Sequence, residues 1–305
     1  MPEPSVAVVV INYNSAAFID ALLQSLRQVE YPRWRLVVVD SASADHSVDM
    51  IERAFPEATM VRCQDNIGFA AGINLVLDQG LAANDDFVLF LNPDTVVTPS
   101  VLRAMVAAAD ERTIVVPKIL YKDDPRLIST HAGGFDWRLG LFRDTFHGRP
   151  DGPELAIRRD DLATASFACA LVPVGAFAEA GRMDDRFFMY YEETDWLRRA
   201  REHSYRITYE PAAVVYHMES GSSGGGWMTP FKLYYATRNR PYLVRKYAAS
   251  RSDYVWFTTY FLAGRLGSTA RMAWHGQWRL IRAMWRGVRD YYIGRMGRTY
   301  EVRDF

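Results

Sequence analysis

The sequence predicts an α/β fold, a mostly parallel central sheet flanked by helices, followed by a basic and aromatic helical extension. Three observations predict it. Over residues 1–120 short β-branched apolar runs alternate with stretches of helical periodicity, these runs are followed by polar residues, and after Pro230 the composition turns basic and aromatic.

Val6–Ile11 is a continuous apolar run and predicts the first strand. Ser15 is placed to cap a helix carrying Phe18, Ile19, Leu22, Leu23 and Leu26 at helical spacing. Leu36–Val39 predicts a second strand ending at Asp40, with a helix from Asp45 to Ala54. Thr59–Cys63 reads as a third strand, Phe69–Leu81 as a third helix, and Phe87–Leu91 as a fourth strand ending at Asn92-Pro93-Asp94. In open α/β sheets ligands sit beyond the carboxyl ends of strands. That rule places Asn12, Asp40 and Asp94 at one rim. Residues 121–162, rich in Asp, Arg, Gly and Pro, predict surface excursions. Ser166–Val174 returns as an apolar strand, Glu193–His203 as an amphipathic helix, and Ala213–Tyr216 as a short strand leading to His217. Ser220–Gly226 contains only Ser and Gly and reads as a mobile loop. The composition change at 230 divides the chain into 1–230 and a helical segment 231–305.

The 305 residues hold 36 basic and 36 acidic side chains, a net charge of zero that is a cancellation. Residues 231–305 carry 15 basic and four acidic residues, and residues 1–230 carry 21 and 32. Such asymmetry implies two different surfaces or partners. An acidic rim argues against nucleic acid as the ligand. Cys63 and Cys169 are too few for a zinc site and sit in apolar runs, as free thiols of a reducing compartment do. The amino terminus lacks a basic segment before Val6–Ile11, and Val255–Ala263 is far below the roughly 20 residues of a spanning helix. A cytoplasmic protein is therefore expected.

Four motifs carry chemistry. Asn92-Pro93-Asp94 is good turn chemistry, yet one Asp beside a neutral amide also suits Mg2+ or Mn2+ that takes its other ligands from a diphosphate and water. Asn66-x-Gly68-Phe69-Ala70-x-Gly72-x-Asn74 opens a helix after a strand, where glycines let the backbone approach a phosphate or sugar. Tyr190-Tyr191-Glu192-Glu193-Thr194-Asp195-Trp196 sets three carboxylates at a helix start. The helix dipole accounts for one or two of them; three, beside aromatic rings, suit a sugar pocket or a general base. His217 by itself reads first as a satisfied surface histidine and second as a metal ligand.

Val8–Ser15, Val38–Asp45, Asn66–Asn74, Asn92-Pro93-Asp94 and Glu192–Trp196 occur in this order, and together they resemble the family 2 glycosyltransferases, in particular the bacterial rhamnosyltransferase-like branch. The resemblance covers residues 5–220, and Tyr234-Tyr235-Ala236-Thr237-Arg238-Asn239-Arg240 also looks like that branch. It implies a GT-A type nucleotide-sugar-binding fold, a nucleotide-sugar half over 1–120, an acceptor half over 121–230, and transfer with inversion. By the same resemblance Asn12 and Asp40 hold base and ribose, and Asn66, Gly68 and Asn74 lie near the donor. Asp94 matches the last residue of the Asp-x-Asp motif that binds metal and diphosphate; Asn92 replaces the first and removes one anionic ligand. Glu193 matches the general base, with Glu192 second in line, and Tyr190, Glu192, Asp195 and Trp196 fall on the acceptor side. His217 matches a histidine that some relatives supply to the metal. The resemblance further implies a dTDP or UDP sugar, rhamnose or another deoxyhexose, and a glycan or lipid-linked acceptor in cell-surface polysaccharide synthesis. A retaining GT-A transferase and a non-catalytic membrane-associated relative are the alternatives.

In the tail Trp274, Trp278, Ile281, Trp285, Val288 and Tyr292 recur at spacings of 3 and 4, with Arg279, Arg282, Arg286 and Arg289 each following one of the middle four. A basic amphipathic helix with tryptophans suits an anionic membrane surface, here the inner face of the plasma membrane. Packing on the acidic body or a homodimer seam produces the same pattern.

Overall fold

The computed structural model describes residues 3–129, 132–143, 145–218 and 229–305. The predicted Ser220–Gly226 loop lies outside the described residues. In chain order the elements are Val6–Asn12 (β1), Ile19–Leu26 (α1), Trp34–Asp40 (β2), Ser47–Ala54 (α2), Thr59–Arg62 (β3), Gly68–Asp78 (α3) and Phe87–Leu91 (β4). Then come Thr95–Val97 (β5), Val101–Ala108 (α4), Thr113–Tyr121 (β6), Gly134–Asp136 (β7), Leu141–Arg143 (β8) and Cys169–Pro173 (β9). Gly175–Ala180 (α5), Glu192–Glu202 (α6) and Arg206–His217 (β10) precede the helices Pro230–Tyr247 (α7), Arg251–Trp274 (α8) and Trp278–Tyr292 (α9).

The main sheet runs β3-β2-β1-β4-β9-β6-β10-β5. Its first four strands, β3, β2, β1 and β4, are parallel, as the apolar runs within β1, β2 and β4 predict. Two apolar layers cover it, one holding Val9, Val37, Phe90 and Trp196, the other Val8, Leu22, Val38 and Leu89. β9 runs antiparallel to β4, so its leading residues meet the end of β4: the Asn92 N–H donates to the Ala168 carbonyl at 2.9 Å. The strand ends and the chain entering β9 thus share one rim.

Several expectations are corrected. Ser15 caps no helix; its hydroxyl donates to Asn12 Oδ1, and α1 starts later. β6 went unforeseen because Pro117 breaks the strand signal; Pro117 sits beside the register shift in β10 between Glu210 and Val214, where the ladder is already irregular. The same irregularity hid the first half of the 12-residue β10. The segment 121–162 is no mere surface excursion: Ile128, Phe146, Leu155 and Leu162 enter the core. Packing also continues across residue 230. Arg238 and Asn239 on α7 are fully buried against the chain before α6, and a Cβ on Gly287 of α9 would lie 2.7 Å from the Tyr234 carbonyl of α7. The tail's aromatic stripe is split by a turn at Gly276. Trp274 and Trp278 are 88% and 67% exposed, whereas Val288 is buried and the Trp285 indole donates to Thr269. Cys63 and Cys169 are free thiols, and burial pushes the Cys169 thiol up.

Candidate functional site

A cleft of about 1060 Å³ opens beyond the carboxyl ends of β1, β2 and β4, and residues of the last helices close its far wall. Its floor at the end of β4 carries Asn92 and Asp94. β10 pairs antiparallel with β5 so that His217 lies opposite Thr95, one residue from Asp94. His217 Nε2 is 3.1 Å from Asp94 Oδ1, and its Nδ1 is 3.2 Å from Ser129 Oγ. Residues 94 and 217 are therefore joined as expected. Ser129, which orients the ring, was missed; nothing in its local sequence distinguishes it. Among the described residues no group of three or more His, Cys, Asp or Glu side chains is arranged to hold a metal. Asp94 and His217 supply one carboxylate and one imidazole, which fits a cation that draws its remaining oxygens from a diphosphate and water.

The β1 and β2 ends differ from expectation. Asn12 is fully buried, its Nδ2 within 2.8 Å of Asp40 Oδ1 and 3.0 Å of Ser47 Oγ. Asp40 also accepts from the Ser43 hydroxyl at 2.6 Å. Neither side chain lines the cleft. They brace two loops beneath it, and the loops present Tyr13, Asn14, Ser41 and Ala42 instead. Asn14 and Ala42 both hold positive φ, 47° and 60°, and the Asn14 side chain accepts from the Ala44 N–H at 2.8 Å.

Asn66 does line the cleft, accepting the Gly68 N–H at 3.0 Å. Gly68 has φ +78°, and a Cβ there would lie 2.6 Å from the Phe188 ring and 2.9 Å from its carbonyl. The glycine admits the Phe188 loop as well as bordering the cleft. Asn74 is turned away: its side chain pairs with the backbone N–H and carbonyl of Met183 at 3.0 and 2.9 Å.

The acidic motif also separates. Glu192 and Glu193 line the cleft at the first turn of α6, with Tyr190 and Tyr191 before them. Asp195 and Trp196 face inward. Asp195 is fully buried among Lys246 Nζ (2.7 Å), the Tyr247 hydroxyl (2.8 Å) and Arg199 (3.2 Å), and the Trp196 indole donates to the Gly181 carbonyl within the core. The acceptor role expected of these two is thus not served by their placement. Burial, reinforced by the neighbouring Glu193 charge, raises the Glu192 pKa well above the glutamate range, and burial raises Glu193 to about 7. One oxygen of each, Oε2, is enclosed and makes no hydrogen bond.

The backbone before this pair is strained. Phe188, Tyr190 and Tyr191 have φ of 64°, 68° and 74°. Asn239 of α7 holds it by donating to the Phe187, Met189 and Tyr190 carbonyls at 2.9, 2.7 and 3.1 Å. Arg238 adds a bond to the Phe187 carbonyl at 2.8 Å. The tail also supplies Lys232, Arg298 and Arg303 to the cleft wall, cations that the acidic rim gave no reason to expect there.

Comparison with known proteins gives three findings. The family model described as Glycosyl transferase family 2 matches residues 7–180. A curated relative, the N-acetylglucosaminyl-diphospho-decaprenol L-rhamnosyltransferase of Mycobacterium tuberculosis, is 25% identical over 236 residues, 71% of this chain and 77% of the relative. Among solved structures, GalNAc-T7 with UDP, GalNAc and Mn2+ superimposes with a TM-score of 0.62 at 15% identity, over 88% of this chain and 51% of that one. The mannosyltransferase PcManGT of Pyrobaculum calidifontis, with GDP-Man and Mn2+, gives 0.53 at 16% identity, over 96% and 88%. At these identities the structural likeness establishes the fold.

Proposed function

The chain belongs to glycosyl transferase family 2 and is a glycosyltransferase of GT-A architecture, and from that premise we propose that it transfers a sugar from a nucleoside diphosphate donor to a hydroxyl of a lipid-linked glycan, with inversion. The observation that carries the proposal is the Glu192–Glu193 pair, one oxygen of each enclosed, in the same cleft as Asp94 and His217. The mycobacterial relative's name supports rhamnose as the transferred sugar and a lipid diphosphate acceptor; a dTDP- or UDP-linked donor and a place in cell-surface polysaccharide synthesis complete the reading.

In this reading Glu193 takes the proton of the acceptor hydroxyl as its oxygen bonds to the anomeric carbon, a contribution of about 10²–10⁴-fold. The bond from that carbon to the diphosphate breaks on the opposite face, so the configuration inverts. Tyr190 and Tyr191 offer ring faces to the acceptor sugar, and Asn14, Ser41 and Asn66 border the nucleotide. Asp94 and His217 would hold Mg2+ or Mn2+, which when bound neutralises charge on the departing diphosphate. Asn92 contributes a neutral oxygen beside them.

The surface supports a peripheral membrane position on the cytoplasmic side. Val255, Trp256, Leu266, Trp274 and Trp278 are exposed on α8 and at the start of α9, with Arg271, Arg279 and Arg282 exposed nearby. Among the described residues no helix is long and apolar enough to cross a membrane.

A panel of nucleotide sugars with and without Mg2+ or Mn2+, scored by donor hydrolysis, tests the activity. NMR of the product anomer tests the stereochemistry. Hydrolysis of one donor class and an inverted product are expected; a retained product would overturn inversion, and no hydrolysis under any condition would overturn the transferase reading.

A further inference from the structure

Two arginines lie together where α7 meets α8, and neither has a carboxylate among the described residues. Arg240 is only 8% exposed. Its Nε donates to the Leu139 carbonyl at 2.8 Å, while its Nη2 is enclosed and has no hydrogen-bond partner. Arg265 comes from α8 with its Nε likewise enclosed and without a partner. Both guanidinium groups attend one ring: their central carbons are 5.7 and 5.2 Å from the Phe261 centroid, and Arg240 is also 5.8 Å from that of Phe257. Burial, and then the Arg240 charge beside it, hold the Arg265 guanidinium below its ordinary range.

Taking a cation out of water without a counter-ion is costly, and contact with a ring face returns only part of that cost. Two like charges held side by side raise the cost further. The arrangement is therefore complementary to an anion. Its position ties it to the cleft. A Cβ on Gly140 would lie 3.1 Å from Arg240 Cγ, and the Gly140 carbonyl accepts the Tyr191 hydroxyl at 3.4 Å. Tyr191 lines the cleft beside Glu192 and Glu193. Arg265 itself stands on α8, whose Trp256, Tyr260 and Leu266 are exposed.

We propose that Arg240 and Arg265 form a seat for the diphosphate of the lipid-linked acceptor, holding it between the carboxylate pair and the apolar face of α8. This rests on the acceptor class proposed above. A planar guanidinium suits a diphosphate, because it can donate parallel bonds to phosphate oxygens; with Arg240 Nε held by the Leu139 carbonyl, its Nη nitrogens and the partly buried Arg265 are the donors left for the ligand. The seat leaves the lipid chain on the α8 side and directs the sugar toward Glu193.

Inorganic pyrophosphate, added to the full chain without divalent metal and read by thermal shift, is the probe. It should raise the melting temperature of the wild type. Arg265→Gln, chosen because Arg265 is only partly buried, should weaken pyrophosphate binding about tenfold or more, and Arg265→Lys should keep part of it. His217→Ala should retain the shift, since that residue faces the donor side. No shift in the wild type, an equal shift in Arg265→Gln, or a shift abolished by His217→Ala would overturn the seat. A second arm uses phosphatidylcholine vesicles carrying either a polyprenyl diphosphate or the same fraction of phosphatidic acid. Stronger retention by the former, diminished in Arg265→Gln, is expected; equal retention would assign the arginines to ordinary headgroups and overturn the diphosphate. Failure of the transferase reading is read separately, by the donor panel on the wild type.

Discussion

As the proposed general base, Glu193 meets two opposed requirements. A general base must be ionised at working pH, yet the burial that makes it basic favours the protonated form and raises its pKa to about 7. kcat/KM should therefore climb with pH through about 7. The stability sign is the reverse. The folded state binds this proton more tightly than the unfolded chain, so the associated stability is complete below the ordinary glutamate range and is lost as pH rises through about 7. Glu193→Gln should fold, lose transfer by about 10²–10⁴-fold, and melt higher than wild type at pH 8 but similarly at pH 5. Near-normal turnover would remove Glu193 from the role; an equal melting gap at both pH values would remove the account of its burial. The sequence pointed to the two acids but could not separate them from Asp195. Successive helical residues turn by about 100°, so a run of acids in sequence is divided between cleft and core. Asp195 and Trp196 went to the core for that reason.

At the scale of elements, α7 fixes the chain that delivers the acids. Asn239 has two amide hydrogens and faces three carbonyls, of residues carrying or flanking positive φ. Asn239→Ala removes the amide donor from the Met189 and Tyr190 carbonyls, while the Phe187 carbonyl keeps Arg238, and should cost about 1–3 kcal/mol of stability together with most of the activity. Asn239→Asp, which offers only acceptors, should be worse than alanine by denaturant melt. An aspartate variant as stable as wild type would contradict this arrangement. Gly68 acts from the other side: with φ +78° and the Phe188 ring in the space a Cβ would take, Gly68→Ala should destabilise the protein and lower kcat more than it raises KM for donor. A change confined to donor KM would return Gly68 to the purely donor-side role that its motif implies. These couplings join residues more than 50 positions apart, Asn239 to Phe187 and Gly68 to Phe188, and periodicity carries no trace of them.

Across the whole molecule, the acidic body and basic tail meet in two ways. Part of the tail is answered internally, as Lys246 with Asp184 and Asp195. Part stays outside, as Arg271, Arg279 and Arg282 beside exposed Trp274 and Trp278. Trp274→Ser with Trp278→Ser should leave the melting temperature within about 1–2 °C of wild type, because both rings are largely in water. The same variant should lose most of its binding to vesicles containing anionic lipid in a flotation assay. Unchanged vesicle binding accompanied by a dimer-to-monomer change in sedimentation would give this face to a second copy of the chain instead.

By itself the sequence determined the parallel half of the sheet and the rim at which its strands end, and through the family resemblance it pointed to Asp94, Glu193 and His217, which line one cleft. Apolar runs and turn chemistry are local properties, and the order of the motifs along the chain kept the family resemblance legible. Only the tertiary structure decided which polar residues line the cleft and which brace it. Asn12, Asp40 and Asn74 share motifs with cleft residues, yet their side chains pair with one another or with backbone beneath it. Tertiary structure alone also brought Ser129 to His217, and Arg240 to Arg265 at the back of Tyr191. The physical reason is that a buried polar group must find its partner wherever the packed chain provides one, and that choice is made between distant elements.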